Sequence, residues 1–463
     1  MVFAGIALLV FGYSQYQKVG EWPYIYAHME WIAGGFLLIA FGGGIILEQL
    51  HKRERFYLRN LLKLNRLYSK YQSNLMVMLM LFSLDFIVLG YCMTGIASLL
   101  PVGGYEKDYP YSAVWMAQEK EEDRIFTENL IRRYKGTVRY IPMIRVSNYS
   151  NEEIGISETT YKELTGKTYG LKERQIIVAS SERGISEEKE IESSIYRQWF
   201  KWLVMGKYTQ YWLDYTNSPE TPMLDMDTKY HYEIQRVHTQ NWFGAYGIDW
   251  EGENVIVFPD EYFHQQRSIL LDNPEESTML ELFTFPREHE AKATEELKNY
   301  VKQYGVQDEG RTKTAQSSCY ITGEFCDMLE KTDIFTITSK LFIVMTLFVS
   351  GKLVLMIKTM AEIPSCQKRY EFLEHMGIRR KMRKKVIRAE VKSIPRIASL
   401  SAALLSVAYV RMYIICEGKT GARPAKDIWG YWLALLFLYL MAGEIVQSLF
   451  SLYVNHKTAR RER

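Results

Sequence analysis

Much of what would name a chemistry is missing from this sequence. Five cysteines and eight histidines are spread over 463 residues. Neither type recurs at the short spacings that hold zinc, so no metal site is expected. Cys92 and Cys416 lie in or at the end of apolar runs, and Cys366 lies in a basic segment. Cys319 and Cys326 share the polar part of the chain, and their spacing leaves a disulfide open. No GxSxG or GxGxxG occurs, and His289-Glu290 has no second histidine at the HExxH distance. Gly166-Lys167-Thr168 resembles the end of a phosphate-binding loop, but the glycine needed five residues earlier is Tyr161. No catalytic residue and no cofactor are expected. Met1 opens directly into VFAGIALLVF, without a basic leader or a small-residue cleavage site.

What is present is a segregation of apolar from polar residues. Apolar runs occupy 31–47, 75–100, 337–357, 397–416 and 429–454. Each approaches the roughly 20 residues that a helix needs to cross hydrocarbon. The stretch 101–336 contains no such run. A net charge of +3 decides little, whereas the placement of charge decides more. Lys and Arg cluster at 52–70, 368–396 and 457–463, which alternating spans can place on one side. The positive-inside rule makes that side cytoplasmic and puts 101–336 outside. Clusters beside spans point to topology and anionic lipid, not to nucleic acid.

The expected fold is an α-helical multi-pass membrane bundle with a large extracellular α/β or α+β domain inserted between two spans. In order, 1–50 ends a first membrane unit, with 1–13 reading as the tail of a longer helix or parent chain. Residues 51–74 form a cytoplasmic amphipathic segment, with Tyr57, Leu61, Leu64 and Tyr68 on one face and Arg59, Lys63, Arg66 and Lys70 opposite. Then follow a span at 75–100, the domain at 101–336, a span at 337–357, a cytoplasmic segment at 358–396, two spans within 397–455 and a basic tail at 456–463. The glycines at 42–44 suit close helix packing. Two apolar runs followed by a basic stretch occur at both ends of the chain, a weak internal repeat. In the domain the pattern predicts a helix over 112–134, strands at 137–146, 175–179, 255–258 and 280–285, and helices after Ser157 and over 289–304. The aromatics of 196–246 supply core or a binding face.

Ionisable residues inside apolar runs are costly in lipid and need partners or water. They are Asp85, Lys340, Lys352, Arg411 and Glu444. Lys340, Lys352 and Arg411 lie near helix ends and are expected to snorkel. Asp85 and Glu444 lie deeper, so at least one should face another helix, with Lys352 the candidate partner of Glu444.

The segment KRYEFLEHMGIRRKMRKKVIRAEVKS, residues 368–393, stands between two spans and is amphipathic with a break at Gly377. RYEFLEHMGIRRKMRKKVIRAE resembles the signature of FtsX-like permease subunits of ABC transporters, through Arg369, Tyr370, Leu373, Gly377, Arg379, Arg380 and Glu390. The tyrosine before Leu-x-x-Met-Gly, and the large domain between one span and the last three, are similar to the bacitracin-export type. That resemblance covers about half of the chain. It implies a permease that is not itself an enzyme and that pairs with a separate cytoplasmic ABC ATPase. It also implies a peptide or lipid-linked ligand outside, a sensor histidine kinase as a further partner, and the cell membrane of a Gram-positive bacterium. Tyr370–Val391 would be the docking element: Phe372, Leu373 and Met376 fill a groove on the ATPase, Gly377 makes the bend, and Arg379, Arg380 and Arg383 meet acidic groups or lipid phosphates at the rim. A signalling receptor, and control of lipoprotein release or cell-wall hydrolases, remain the competing readings.

Overall fold

The apolar runs become long helices, and the polar stretch becomes two sheets. The computed structural model describes residues 1–18, 24–59, 68, 71–148, 151–172, 175–180, 233–238, 242–244, 254–271, 277–305, 318–418 and 424–459. The middle of the amphipathic segment expected at 51–74 (residues 60–67, 69 and 70), and most of the aromatic stretch 196–246, lie outside these. The chain divides into one unit of Met1–Pro101 with Asp333–Arg463 and a second of Val102–Thr332.

The first unit is helical. It contains α1 (Val2–Lys18), α2 (Tyr24–Leu37), α3 (Gly43–Lys52), α4 (Glu54–Arg59), α5 (Tyr71–Phe86) and α6 (Met93–Ala97). Five stretches are long and apolar enough to cross a membrane: His28–Lys52, Tyr71–Ala97, Thr322–Arg369, Lys381–Ile415 and Ala425–Lys457. α1 and α2 touch through backbone, since a Cβ on Gly34 would lie 2.9 Å from the Gly5 carbonyl oxygen. The core is aromatic and aliphatic, with Phe82, Phe86, Leu89 and Trp432 fully buried.

Two of the long helices widen into π turns, Leu38–Gly42 between α2 and α3 and Ile87–Cys92 between α5 and α6. A π turn interrupts the i→i−4 ladder and frees a carbonyl, which in an apolar bundle must find a donor. Each does so from another helix. The Tyr71 hydroxyl donates to the Ile39 carbonyl, and the Trp432 indole Nε1 donates to the Leu89 carbonyl at 2.8 Å. Gly43 makes room for Tyr71, because a Cβ there would collide with the phenol. Gly42 and Gly44 face open space, so only one of these three glycines serves packing.

The second unit has four layers. A four-stranded antiparallel sheet runs β2-β8-β1-β9, from β2 (Thr137–Pro142), β8 (Met279–Thr284), β1 (Ala113–Ala117) and β9 (Cys319–Ile321). A five-stranded mixed sheet runs β3-β4-β7-β5-β6, from β3 (Ile144–Asn148), β4 (Asn151–Ser157), β7 (Asn254–Phe258), β5 (Gln175–Ser180) and β6 (Glu233–His238). Period-two alternation decides which side chains meet. Val114, Met116, Leu280 and Leu282 of the first sheet pack on Ile154, Ile156, Val255 and Val257 of the second. The opposite face of the first sheet, with Trp115 and Phe283, is covered by α7 (Glu121–Tyr134) and α10 (Arg287–Tyr304). The opposite face of the second, with Ile176 and Phe258, is covered by α9 (Asp260–Leu271) through Phe263.

Two expectations are corrected here. The helix predicted over 112–134 begins at Glu121, because the five residues Ala113–Ala117 are all buried and form a central strand. The strand predicted over 137–146 is two strands in different sheets, parted at Met143. Ser157 caps α8 (Glu158–Thr165), its hydroxyl accepting from the Thr160 N–H at 3.1 Å.

Candidate functional site

The segment singled out by its charge forms an elbow between two long helices. α11 (Thr322–His375) extends well past the apolar run 337–357 at both ends, and α12 begins at Arg380 and runs to Gly418. Between them the Met376 N–H donates to the Phe372 carbonyl at 3.1 Å. Gly377 then takes φ +87°, in the left-handed region that favours glycine. A Cβ on Gly377 would meet nothing within 4 Å, so the glycine serves the turn and not a close approach.

A half-buried ion pair braces this elbow. Arg369 Nη2 donates to both carboxylate oxygens of Glu390 at 2.6 Å, and the Glu390 side chain is 2 % exposed. Below it, Val386, Ile387 and Val391 of α12 pack on Val454 of α13 (Ala425–Ala459), with Cys366 and Phe450 alongside. The turn itself projects apolar residues into solvent, with Phe372 63 % and Met376 70 % exposed. Arg379 is exposed as well. The side chains of Tyr370, Leu373 and Arg380 lie outside the described residues. Arg383 departs from its expected rim position. It is 6 % exposed, because position 383 shares a helix face with Val386, Ile387 and Glu390, which pack inward.

Asp85 and Glu444, the deeper ionisable residues of the apolar runs, turn toward other helices. The Asp85 carboxylate accepts from the Ser399 hydroxyl and the Tyr439 hydroxyl, each at 2.5 Å, and so joins α5, α12 and α13. Glu444 pairs with Lys392 at 2.9 Å and with Arg396 at 2.6 Å. Lys352 is therefore not its ion-pair partner. Its Nζ sits over the Phe348 ring, 4.9 Å from the centroid, within electrostatic reach of both Asp85 and Glu444. The correction is geometric: Lys392 and Arg396 lie one helical turn apart on α12 and close on Glu444 together. Lys340 lies over the Tyr91 ring at 5.6 Å and against Gly95, two residues from the end of the Tyr71–Ala97 stretch. Arg411 is exposed.

The second unit shows no catalytic geometry at the motif that resembled a phosphate loop. Gly166 ends α8 with φ +73°. The chain that follows is held by Glu158, whose carboxylate accepts from the backbone N–H groups of Tyr169, Gly170 and Leu171 at 2.6–2.9 Å. A carboxylate aimed at those donors occupies the place an anion would need. Cys319 and Cys326 are both buried and no disulfide links them. Among the described residues no group of three or more His, Cys, Asp or Glu forms a metal site.

Two buried acids between α7 and the first sheet are electrostatically perturbed. Glu281, in the middle of β8, accepts from the Thr127 hydroxyl at 2.7 Å, and Asp123 accepts from the Tyr300 hydroxyl at 3.0 Å. Burial pushes the Glu281 carboxyl up to about 8, and the nearby Asp123 charge adds to the rise while the Thr127 bond opposes it. Burial also raises Asp123. Neither acid was legible beforehand as special, since nothing in MLELFT marks which face of the strand is covered. The brace between Arg369 and Glu390 was visible only as two motif positions, 21 residues apart.

A scan against known protein families finds no match to this chain, and a comparison with characterised proteins finds none either.

Proposed function

We propose that the chain is the transmembrane permease subunit of an ABC transporter of the FtsX-like, bacitracin-export type. In this reading the helical unit lies in the cell membrane and the second unit faces outside. A separate cytoplasmic ATPase docks at the elbow. The observation that carries the reading is the elbow's construction: Phe372 and Met376 are exposed beside a glycine turn whose two arms are joined by the Arg369–Glu390 ion pair. An exposed apolar tip on a stiff mount suits a surface that is pushed. Apolar anchors at the centre of an interface carry most of its affinity, and rim charges tune rate and salt dependence.

Membrane placement is supported by the outward faces of the long helices. Phe342, Met345, Leu404, Phe437 and Leu449 are 62–75 % exposed, a pattern suited to lipid and not to water. The ion pairs of Glu444 and the double hydrogen bond on Asp85 meet the requirement that intramembrane charges be satisfied from within the bundle. Transmission would run from the elbow through the long helices to the outer unit, which engages an antimicrobial peptide or a lipid-linked target.

The test is co-purification of the chain with the cytoplasmic ABC ATPase that this reading requires. Met376→Asp should abolish it while membrane insertion persists, and Arg379→Ala should weaken it mainly at raised salt. An unchanged complex and unchanged peptide resistance in Met376→Asp would sink the docking assignment.

A further inference from the structure

The cations of the elbow do not share one role, and the structure sorts them. Arg369 and Arg383 are drawn inward, Lys392 and Arg396 are held by Glu444. Arg379 is exposed at the turn before α12, and the Arg380 side chain lies outside the described residues; along the helix beyond them, Lys381, Lys384, Lys385 and Arg388 remain. They stand at i, i+3, i+4 and i+7 of α12, so they share one face, and all four are exposed. The alternate face carries the buried Arg383, Val386, Ile387 and Glu390. Among the described residues no ion pair engages any of the four.

Their position on the helix sharpens the problem. They fall in its first turns, which contain no acidic residue. The helix N-terminus is the positive end of the macrodipole, so cations are disfavoured there unless anions come from elsewhere. Depth supplies a direction for those anions. Val386 and Val391 pack on Val454. At that level α13 still shows an exposed apolar face, with Leu449, Leu452 and Tyr453 at 62 %, 53 % and 41 %, and it turns basic at His456 and Lys457. The stripe therefore lies where the lipid-suited surface of the bundle ends.

We propose that Lys381, Lys384, Lys385 and Arg388 form a binding strip for the headgroup phosphates of anionic phospholipid, separate from the apolar tip at Phe372 and Met376. The strip holds the first turns of α12 against the inner leaflet and so fixes the height of the elbow. It rests on the membrane placement of the helical unit but not on an ATPase docking there.

The test uses the full chain in nanodiscs of equal phosphatidylglycerol and phosphatidylcholine. Benzoylphenylalanine in place of Met382, which is 50 % exposed beside the strip, captures its neighbour on illumination. Phosphatidylglycerol adducts should exceed phosphatidylcholine adducts by roughly threefold or more, and the ratio should fall toward one at high salt. Lys381→Gln, Lys384→Gln, Lys385→Gln and Arg388→Gln together should remove the preference. If that variant does not insert, Lys384→Gln with Arg388→Gln should reduce it by about half. Equal capture of the two lipids, a preference kept in the variants, displacement of the lipid by inorganic phosphate, or a dominant protein adduct in native membranes would each overturn the proposal. Loss of ATPase co-purification leaves these readouts unmoved, so the two readings fail separately.

Discussion

Changing Glu281 to Gln should make the second unit more stable at alkaline pH and flatten its pH dependence, with the contribution of Asp123 remaining. Glu281 is 3 % exposed and pairs across the sheet with Trp115 on one side and Tyr140 on the other. Its carboxyl is pushed from the ordinary value of 4.5 up to about 8. The folded state thus holds a proton that the unfolded chain releases above about pH 4.5. Between these values the folded state binds more protons, so stability falls as pH rises and stops falling above the folded value. At about 1.4 kcal/mol per pH unit, the span from pH 5 to 8 corresponds to at most about 4 kcal/mol. Relaxation of the surrounding strands and water entry reduce that, and about 2 kcal/mol is the working expectation. Gln keeps the shape and cannot ionise. Hydrogen exchange of the β8 amides in the full chain, at pH 5, 6.5 and 8, reads this directly. Protection in the unaltered protein should drop with pH, and in Glu281→Gln it should drop distinctly less. Equal protection at pH 5 and 8 in the unaltered protein would refute the burial argument. So would an identical slope in the variant.

The remaining expectations concern the helical unit. Asp85→Ala leaves the buried Ser399 and Tyr439 hydroxyls without their acceptor and should cost about 2–5 kcal/mol, measured by thermal unfolding in detergent, with Asp85→Asn recovering part of it. Arg369→Ala removes the two hydrogen bonds that Arg369 gives the Glu390 carboxylate and should cost about 1.5–3 kcal/mol, measured by the same unfolding. Trp432→Phe removes the donor to the Leu89 carbonyl and should lower stability by about 1–3 kcal/mol, with loss of exchange protection centred on 87–92.

How much of this was legible in the sequence varies with the physics of each part. Lengths of apolar runs depend on composition alone, and all five runs lie in helices long and apolar enough to span. The turn at Gly377 was legible because positive φ selects glycine. The strand at Ala113–Ala117 was not, since a short strand buried on both faces has no polar alternation and reads as part of the neighbouring helix. Partner choice was the least legible. Lys352 matched Glu444 by depth, but azimuth around the helix decides contact, and azimuth belongs to Lys392 and Arg396. The same ambiguity placed Arg383 at the rim when one helical face turns it inward. The docking partner, the ligand and the bacterial setting rest on the resemblance and not on such geometry.

The π turn at Ile87–Cys92 has an effect beyond its spare carbonyl. An α-helix advances about 100° per residue, so one added residue in a widened turn rotates the rest of that helix by nearly a third of a revolution. A helical wheel drawn straight through 71–97 therefore misassigns the end that carries Gly95, where Lys340 lies, relative to the beginning that carries Asp85. The widened turn acts as a phase shifter between two halves of one rod. Removing a single residue there would not shorten the rod so much as turn its Gly95 end away from its neighbours.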